Sequence, residues 1–254
     1  MNDTVHKRDL IEGFITGLNV IQAFGDETPT LTVSQLALRV DISRAAARRY
    51  MVTLVHSGMA MTDGRQYWLS PKVLSLGHSF LDSARLPRTV APFVQKLAQQ
   101  VQETCTFSVL DGADVVYLCR ASTPKLMSFS YEPGARLPVH ASAAGMVMLA
   151  SLSPFELDDW LQTHELTPFT AHTLITPAAI RIVITKIQTQ GYALSENQYE
   201  LGMRGISVAV RNRKNQLIGA LSVSTITAAA TYEEIIRNVI PAMQDAARGI
   251  MAVV

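Results

Sequence analysis

Residues 32–69 read TVSQLALRVDISRAAARRYMVTLVHSGMAMTDGRQYWL, and this stretch decides the fold of the N-terminal part of the chain. The run TVSQ from Thr32 has the spacing of a capping box and predicts a helix start, and Ser43 is placed to cap a second helix after a break at Asp41-Ile42. Asp63-Gly64 separates two short β-type runs and indicates a two-residue hairpin turn. Two helices, a short turn and a hairpin predict a winged helix-turn-helix.

The helix predicted after Ser43 carries arginine on its outer face. Ala47, Met51 and Leu54 recur at helical spacing and are expected to face the core, so the arginines between them point outward. An arginine fork can span O6 and N7 of guanine in a major groove, and alanine permits a close approach. The residues expected to contact DNA are Thr32, Ser34, Ser43, Arg44, Ala45, Ala46, Arg48, Arg49 and Arg65.

Charge is concentrated in the same region. Residues 39–67 contain five arginines and no lysine against two aspartates, whereas the whole chain has a formal net charge of only +1. A solvated basic helix in an ordinary three-helix packing is the alternative interpretation. The caps, the break, the exposed arginines and the hairpin together favour DNA binding.

Composition indicates a folded, soluble chain. Hydrophobic residues make up 48% and charged residues 17% of the 254 positions, which excludes a disordered chain. No stretch of ~18 residues is predominantly apolar without interruption by polar residues or proline, as a membrane span would require. The first ten residues lack an apolar run behind a basic patch, so we expect neither a signal peptide nor an anchor, and a cytoplasmic location.

The pattern changes after Pro71. Residues 72–85 predict one linker helix with an apolar stripe, and beyond Pro87 predicted strands are flanked by helices, as in an α+β domain. The predicted division is a winged helix-turn-helix over residues 1–71, a linker helix over 72–85 and a second domain over 86–254.

The two cysteines lie on a hairpin predicted to turn at Asp111-Gly112. With an even-numbered loop, the sulfurs of Cys105 and Cys119 point to opposite faces of the sheet. We therefore expect two reduced thiols, which suits a reducing cytosol.

Enzymatic signals are missing from the sequence. It has no Gly-x-Ser-x-Gly elbow, no Gly-x-Gly-x-x-Gly and no phosphate-binding loop. The six histidines form no recognisable metal-ligand motif with cysteines or carboxylates. We therefore expect no catalytic residues, no cofactor and no metal.

Short motifs along the chain carry a family resemblance. They are residues 74–77 (LSLG), 80–83 (FLDS), 110–118 (LDGADVVYL), 134–138 (GARLP), 201–204 (LGMR) and 219–224 (GALSVS). On these motifs the chain resembles the IclR family of bacterial transcription regulators over nearly all of its length. Residues 196–204 (ENQYELGMR) are most similar to the branch that controls aromatic-acid catabolism, such as the protocatechuate or 4-hydroxybenzoate regulators.

The resemblance implies that residues 86–254 form a GAF-like effector-binding domain that adjusts DNA binding or oligomer geometry. It also implies a homodimer or homotetramer. Carried over residue by residue, the family's effector pocket falls on Leu137, Ala143, Ala144, Ser195, Gly205, Ser222 and Ser224, with Met127 as a further wall. His140 lies beside this pocket, although a packed or surface histidine is the simpler interpretation.

The residues agree with part of that pocket. Ser222 and Ser224 alternate onto one face of a strand, and the helix start at Ala143 offers backbone amides that suit a carboxylate. Many family members read Thr-Ser-Met-Gly-Arg where this chain has residues 141–146 (ASAAGM), and Gly205 takes a position often held by serine or cysteine. We therefore expect a roomier, more apolar wall.

The predicted function is a sequence-specific DNA-binding transcriptional regulator whose operator binding or activity responds to a small organic, aromatic carboxylate. Its expected partners are double-stranded operator DNA, the acid, other copies of the chain and, if it activates, RNA polymerase. The alternative is a cytosolic small-molecule sensor that acts through protein contacts without DNA. Exposed arginines favour the first, because the second has no need of them.

Overall fold

The computed structural model describes residues 6–25, 27–123, 131–228 and 231–254, leaving aside the side chains of Lys7, Leu81 and Asp82. The chain divides into two compact units, Met1–Phe80 and Leu81–Val254. Each unit has a hydrophobic core of its own.

The first unit is a winged helix-turn-helix. Its elements are a 3₁₀ turn (Lys7–Asp9), α1 (Glu12–Gln22), α2 (Val33–Arg39), α3 (Arg44–His56), β1 (Ala60–Thr62), β2 (Tyr67–Leu69) and a 3₁₀ turn (Pro71–Val73). The capping box predicted at Thr32 is present, and Ser43 caps α3 by accepting the amide of Ala46 at 3.1 Å. Val20, Leu36 and Met51 form the fully buried centre between the three helices.

The turn of the hairpin differs from the sequence prediction. Thr62 pairs with Tyr67, so four residues rather than Asp63-Gly64 alone connect β1 to β2. The Asp63 carboxylate accepts the backbone amides of Gln66 at 2.7 Å and Arg65 at 2.8 Å. These two hydrogen bonds lower the pKa of Asp63 below its ordinary value, and the bond from Gln66 contributes most. Together with the bond from the Asp63 amide to the carbonyl of Gln66 at 3.3 Å, these side-chain bonds close the four-residue loop.

The predicted linker helix is observed as α4 (Leu74–Ser83), which is shorter than residues 72–85. Ala84 has extended backbone angles, and the next helix, α5 (Arg85–Val101), begins before Pro87 rather than after it. Proline is tolerated there because the first helical turn needs no hydrogen bond from its nitrogen.

The second unit is a six-stranded antiparallel sheet covered by helices on both faces, so the fold class is α+β. Its elements after α5 are β3 (Thr104–Asp111), β4 (Asp114–Ala121), β5 (Arg136–Pro138), a 3₁₀ turn (Val139–Ala141), α6 (Ala143–Leu149), α7 (Pro154–Thr163), α8 (Pro177–Gln190), β6 (Ala193–Glu196), β7 (Met203–Arg211), β8 (Leu217–Ile226), α9 (Tyr232–Glu234), a π-helical turn (Ile235–Val239) and α10 (Ile240–Met251). The strand order in the sheet is β5-β4-β3-β8-β7-β6.

The two faces of the sheet bury different sets of helices. One core packs α6, α7 and α8 against the sheet, and the other packs α5 and α10 against the opposite face. Residues alternate between the faces along each strand, so that Ser207 and Ser222 belong to the α6 face and Ile206 and Val223 to the other.

The prediction that Cys105 and Cys119 point to opposite faces is wrong. The register shifts after Phe107, which pairs with Cys119, whereas Ser108 pairs with Tyr117. This bulge adds one residue to β4 and returns Cys119 to the face of Cys105, where both contact the α5 and α10 core. Both are free thiols, as expected.

Candidate DNA-binding helix and effector cavity

The outer face of α3 is a basic surface. Arg44, Ala45, Arg48 and Arg49 are exposed, while Ala47 on the inner face is fully buried. The 3.6-residue period thus separates the core from the arginines, as the sequence predicts. A helix with this exposed face has the shape and charge that a major groove accepts.

The other predicted DNA contacts surround this helix. Ser34 is exposed in the first turn of α2, Ala46 is half-buried, and Arg65 is exposed in the hairpin loop. The Thr32 hydroxyl already donates to Gln35 Oε1 at 2.9 Å, which ties its proton to the cap. Ser43 uses only an acceptor lone pair in its cap, so its O–H can still donate to a phosphate oxygen.

A cavity lies between the sheet and α6. Its lining residues are Tyr117, Leu137, Ala141, Ser142, Ala143, Ala144, Ser195, Gln198, Tyr199, Met203, Gly205, Ser207, Ser222 and Ser224. Only about 30 Å³ is open to the centre of a water molecule, so the cavity is narrow in this conformation despite the small side chains of Ala143 and Ala144. An aromatic acid can enter only if neighbouring side chains move.

Seven predicted pocket residues meet at this cavity. They are Leu137, Ala143, Ala144, Ser195, Gly205, Ser222 and Ser224. Met127, the eighth, lies outside the described residues. Sequence reasoning missed Ser207, although strand alternation from Gly205 could have found it. It also missed Met203, which the same alternation places on this face, and Tyr117, Gln198 and Tyr199, whose placement depends on strand pairing and loop geometry.

The polar groups of the cavity are neutral. Ser207 Oγ and Ser222 Oγ are 2.6 Å apart, and Ser195 Oγ donates to the carbonyl of Ala141 at 3.3 Å. Gln198 Oε1 is buried with no hydrogen-bond partner in the part of the chain that the structure describes. The cavity therefore offers hydroxyl and carboxamide groups but no charged side chain among its lining residues.

The start of α6 offers fewer amides than the sequence suggests. Ser142 Oγ accepts the amide of Gly145 at 3.1 Å, which removes that donor from the cavity. Ala143 and Ala144 remain at the cavity wall with their small side chains. Polar recognition at this wall therefore depends on the remaining first-turn amides of α6 and on side-chain groups of the sheet.

The rings of Tyr117 and Tyr199 line one end of the cavity, and together with Tyr131 they form the aromatic wall. Tyr117 and Tyr131 meet edge to face at 6.1 Å, and Tyr131 and Tyr199 at 6.2 Å. Tyr131 donates to Glu200 Oε2 at 2.9 Å. Burial raises the pKa of Tyr117 to about 12, so this ring is a neutral phenol at physiological pH. Edge-to-face geometry of this kind suits an additional aromatic ring.

His140 stands behind this aromatic wall rather than in the cavity lining. It is buried, its Nε2 lies 3.0 Å from the carbonyl of Thr167, and its ring lies 5.9 Å from that of Phe169. Phe169 in turn contacts Tyr199 at 5.1 Å. These contacts fit a packing role.

Within the residues that the structure describes, no group of three or more histidine, cysteine or acidic side chains is arranged to hold a metal ion. No helix of the described segments has the length and apolar character needed to cross a membrane.

Comparison with known proteins gives matches over both units. The family description "Bacterial transcriptional regulator IclR C-terminal" matches residues 78–252, and "IclR helix-turn-helix domain" matches residues 17–64. The Pca regulon regulatory protein of Pseudomonas putida is 34% identical over 241 residues, which cover 94% of this chain and 83% of that protein. The p-hydroxybenzoate hydroxylase transcriptional activator of Acinetobacter baylyi is 32% identical over 251 residues, which cover 97% and 93%.

A solved structure is similar to the second unit. It is a double mutant of the PobR inducer-binding domain from Acinetobacter in complex with 3-hydroxybenzoic acid. The match has a TM-score of 0.64 and 27% sequence identity, and covers 67% of this chain and 100% of that chain. The matched relatives are transcriptional regulators, not enzymes.

Proposed function

The chain belongs to the IclR family of bacterial transcriptional regulators. We propose that its second unit binds a small aromatic carboxylate in the cavity between the sheet and α6. We further propose that binding of this ligand alters operator binding. The observation that carries the proposal is the meeting of seven predicted pocket residues at one cavity with an aromatic end. The 3-hydroxybenzoic acid bound to the PobR inducer-binding domain supports the ligand class.

The chain is a DNA-binding regulator, and we propose the exposed face of α3 as its groove-reading surface. Arg48 and Arg49 would reach base edges, while Ser34, Ser43 and Arg65 would contact the backbone. One recognition helix contacts too few base pairs for selectivity, so the proposal includes a symmetric dimer or tetramer on paired half-sites. We also propose a cytoplasmic location, because the protein must reach operator DNA, and RNA polymerase as a further partner if the protein activates transcription.

We further propose the functional division suggested by the sequence: residues 1–71 bind DNA, residues 72–85 connect the two domains, and residues 86–254 bind the effector.

The narrowness of the cavity means that ligand binding must change the conformation of the protein. Because an aromatic acid exceeds the space now open, its entry must shift side chains of α6 or the aromatic wall. A ligand that selects the opened conformation changes the population of states, which is the requirement for regulation.

Calorimetry on the full chain with aromatic and aliphatic acids tests the effector proposal. Benzoate, 3-hydroxybenzoate and 4-hydroxybenzoate are expected to bind without being consumed, and acetate to bind weakly or not at all. If the aliphatic acids bind as well as the aromatic ones, the ligand class is wrong. Chemical conversion of an acid during the titration would indicate an enzyme instead.

A gel shift with sheared chromosomal DNA addresses the alternative of a sensor without DNA. The regulator is expected to retard DNA in a salt-dependent manner, because arginine contacts release counterions. A chain that leaves every fragment unshifted at low salt would support the sensor.

A further inference from the structure

A row of polar side chains crosses the cavity face of the sheet. Arg120 on β4 pairs with Thr106 on β3, Thr106 pairs with Ser222 on β8, and Ser222 pairs with Ser207 on β7. Directly opposed residues of antiparallel strands project from the same face. Since Ser207 and Ser222 line the cavity, Thr106 and Arg120 lie on the cavity face as well.

Among the described residues, two members of this row have a buried polar atom without a hydrogen-bond partner. Thr106 is 2% exposed, and its Oγ1 is buried with no hydrogen bond within the described part of the chain. The same holds for Nε of Arg120. Buried polar atoms are nearly always hydrogen-bonded, and leaving them unpaired costs stability. Two such atoms on opposed residues are a reason to look for a ligand.

Arg120 also has the charge that the cavity lacks. Its Nη1 lies 3.0 Å from Oε1 of Glu132, which is exposed, while the Arg120 side chain is only 15% exposed. A buried carboxylate needs a cation or several donors, and the cavity lining contains no cation. Arg204 does not fill this role, because it alternates with Gly205 onto the opposite face and pairs with Glu196 at 2.9 Å.

We propose that Arg120 and Thr106 bind the carboxylate of the effector, Arg120 through Nε–H and Thr106 through its hydroxyl. Glu132 holds the other side of the guanidinium and fixes its orientation. Ser222 and Ser207 continue the polar row toward Gly205, where the remainder of the ligand lies. This inference rests on the proposed effector cavity. It also requires the cavity to extend across the sheet by the width of one strand, from Ser222 on β8 to Thr106 on β3.

The test compares an acid with its neutral amide, which has nearly the same shape. Calorimetry on the full chain would use 3-hydroxybenzoate and 3-hydroxybenzamide. The parent protein is expected to prefer the acid. Arg120→Gln should lower the affinity for the acid roughly 10- to 100-fold, the usual effect of losing a charged hydrogen bond, and change that for the amide little. Arg136→Gln is the control, because Arg136 pairs with Asp111 and Asp114 on exposed β-strand ends.

Thr106→Val gives a second readout that remains if Arg120→Gln folds poorly. Valine has the shape of threonine without the unpaired hydroxyl, so the ligand-free variant should melt at a higher temperature while binding the acid more weakly. A merely structural Thr106 would not produce that opposite pair of changes.

The outcomes separate the two proposals. If Arg120→Gln, or Thr106→Val where the first variant is unfolded, retains the parent's ratio of acid to amide affinity, the anchor is wrong and the cavity proposal stands. If the parent protein binds no aromatic acid, both are wrong.

Discussion

Gly145 in α6 packs directly against the carbonyl group of Val139. A Cβ at position 145 would overlap the oxygen, the carbonyl carbon and the Cα of Val139, all of them backbone atoms. The helix can therefore lie against the preceding 3₁₀ turn only because this residue has no side chain. All seven residues of α6 are buried in consequence, and Ala143 and Ala144 reach the cavity.

Gly145→Ala is expected to destabilise the chain by about 3 kcal/mol, because backbone on the Val139 side cannot move as a flexible side chain could. Gly77→Ala is the matched control: Gly77 lies within α4 with open space around its Cα, so alanine should be neutral or stabilise by about 0.5–1 kcal/mol. Urea denaturation followed by circular dichroism measures both. Equal midpoints for the two variants would contradict the close packing.

Gly205→Ala tests the cavity without disturbing the fold. Its Cβ would lie 3.4 Å from Cβ of Ala143, which is an ordinary to slightly tight contact, so stability should change by less than about 1 kcal/mol. The added methyl occupies space that a ligand needs, and affinity for aromatic acids should fall roughly tenfold. Operator binding without ligand should stay at the parent level. Undiminished acid affinity would place the ligand elsewhere.

Stability should fall at alkaline pH because of the buried thiols. Burial raises the pKa of Cys119 from 9.0 to about 11 and raises that of Cys105 further. The unfolded chain therefore releases these protons first, so their contribution is complete below pH 9 and is lost as the pH rises through about 11. The urea midpoint should decline over this interval, and Cys119→Ala should flatten the decline. A midpoint that stays constant from pH 8 to 11 would be inconsistent with thiol burial.

Sequence alone predicts the first unit well because its signals are local. The capping box at Thr32, the cap at Ser43 and the apolar spacing of α3 each act within one or two helical turns. Apart from the hairpin turn at Asp111-Gly112, the second unit depends on pairing between strands far apart in sequence, which no short motif encodes. The bulge after Phe107 changes which residues share a face of the sheet. For this reason the predicted orientation of the two sulfur atoms is wrong, and the sequence pattern does not place Arg120 on the cavity face.

The same distinction applies to the cavity. Strand alternation and the family resemblance bring Gly205, Ser222 and Ser224 to one site, because they lie on two paired strands. The aromatic wall requires long-range contacts, such as that between Tyr131 and Glu200, which only the folded chain provides. Helical spacing alone does not distinguish the π-helical turn at Ile235–Val239 from regular helix.

Substitutions of two arginines should distinguish contacts with base edges from contacts with the DNA backbone. Arg48→Ala, in the middle of the exposed face of α3, is expected to lose discrimination at one position per half-site at a cost of about 1–3 kcal/mol. Arg65→Ala, in the hairpin loop, should weaken binding to all sequences alike and reduce the salt dependence. Arg248→Ala, on α10 beside Asp245, is a control that should change neither. Parent-like binding of both variants to operator and random DNA would refute the assignment.

Coupling between effector and operator is expected to depend on α4. The helix contains the division between the two compact units, and Leu76 and Phe80 on it are 49% and 52% exposed. A helix transmits a rotation better than a flexible linker, so effector binding can change the spacing of two recognition helices in a dimer. The coupling should be about 1–3 kcal/mol and reciprocal: operator DNA must change effector affinity by the factor by which effector changes operator affinity.

Replacing Leu76 and Phe80 together with serine should remove this coupling while each unit still binds its own ligand, because neither residue lies at the cavity or on α3. Titrating effector with and without operator, and operator with and without effector, measures the factor in both directions. The Gly77→Ala variant, which changes α4 without altering its apolar side chains, should keep the parent's factor. A full effector response in the double variant would make α4 a passive spacer, and the signal would then have to travel by reassembly of the oligomer.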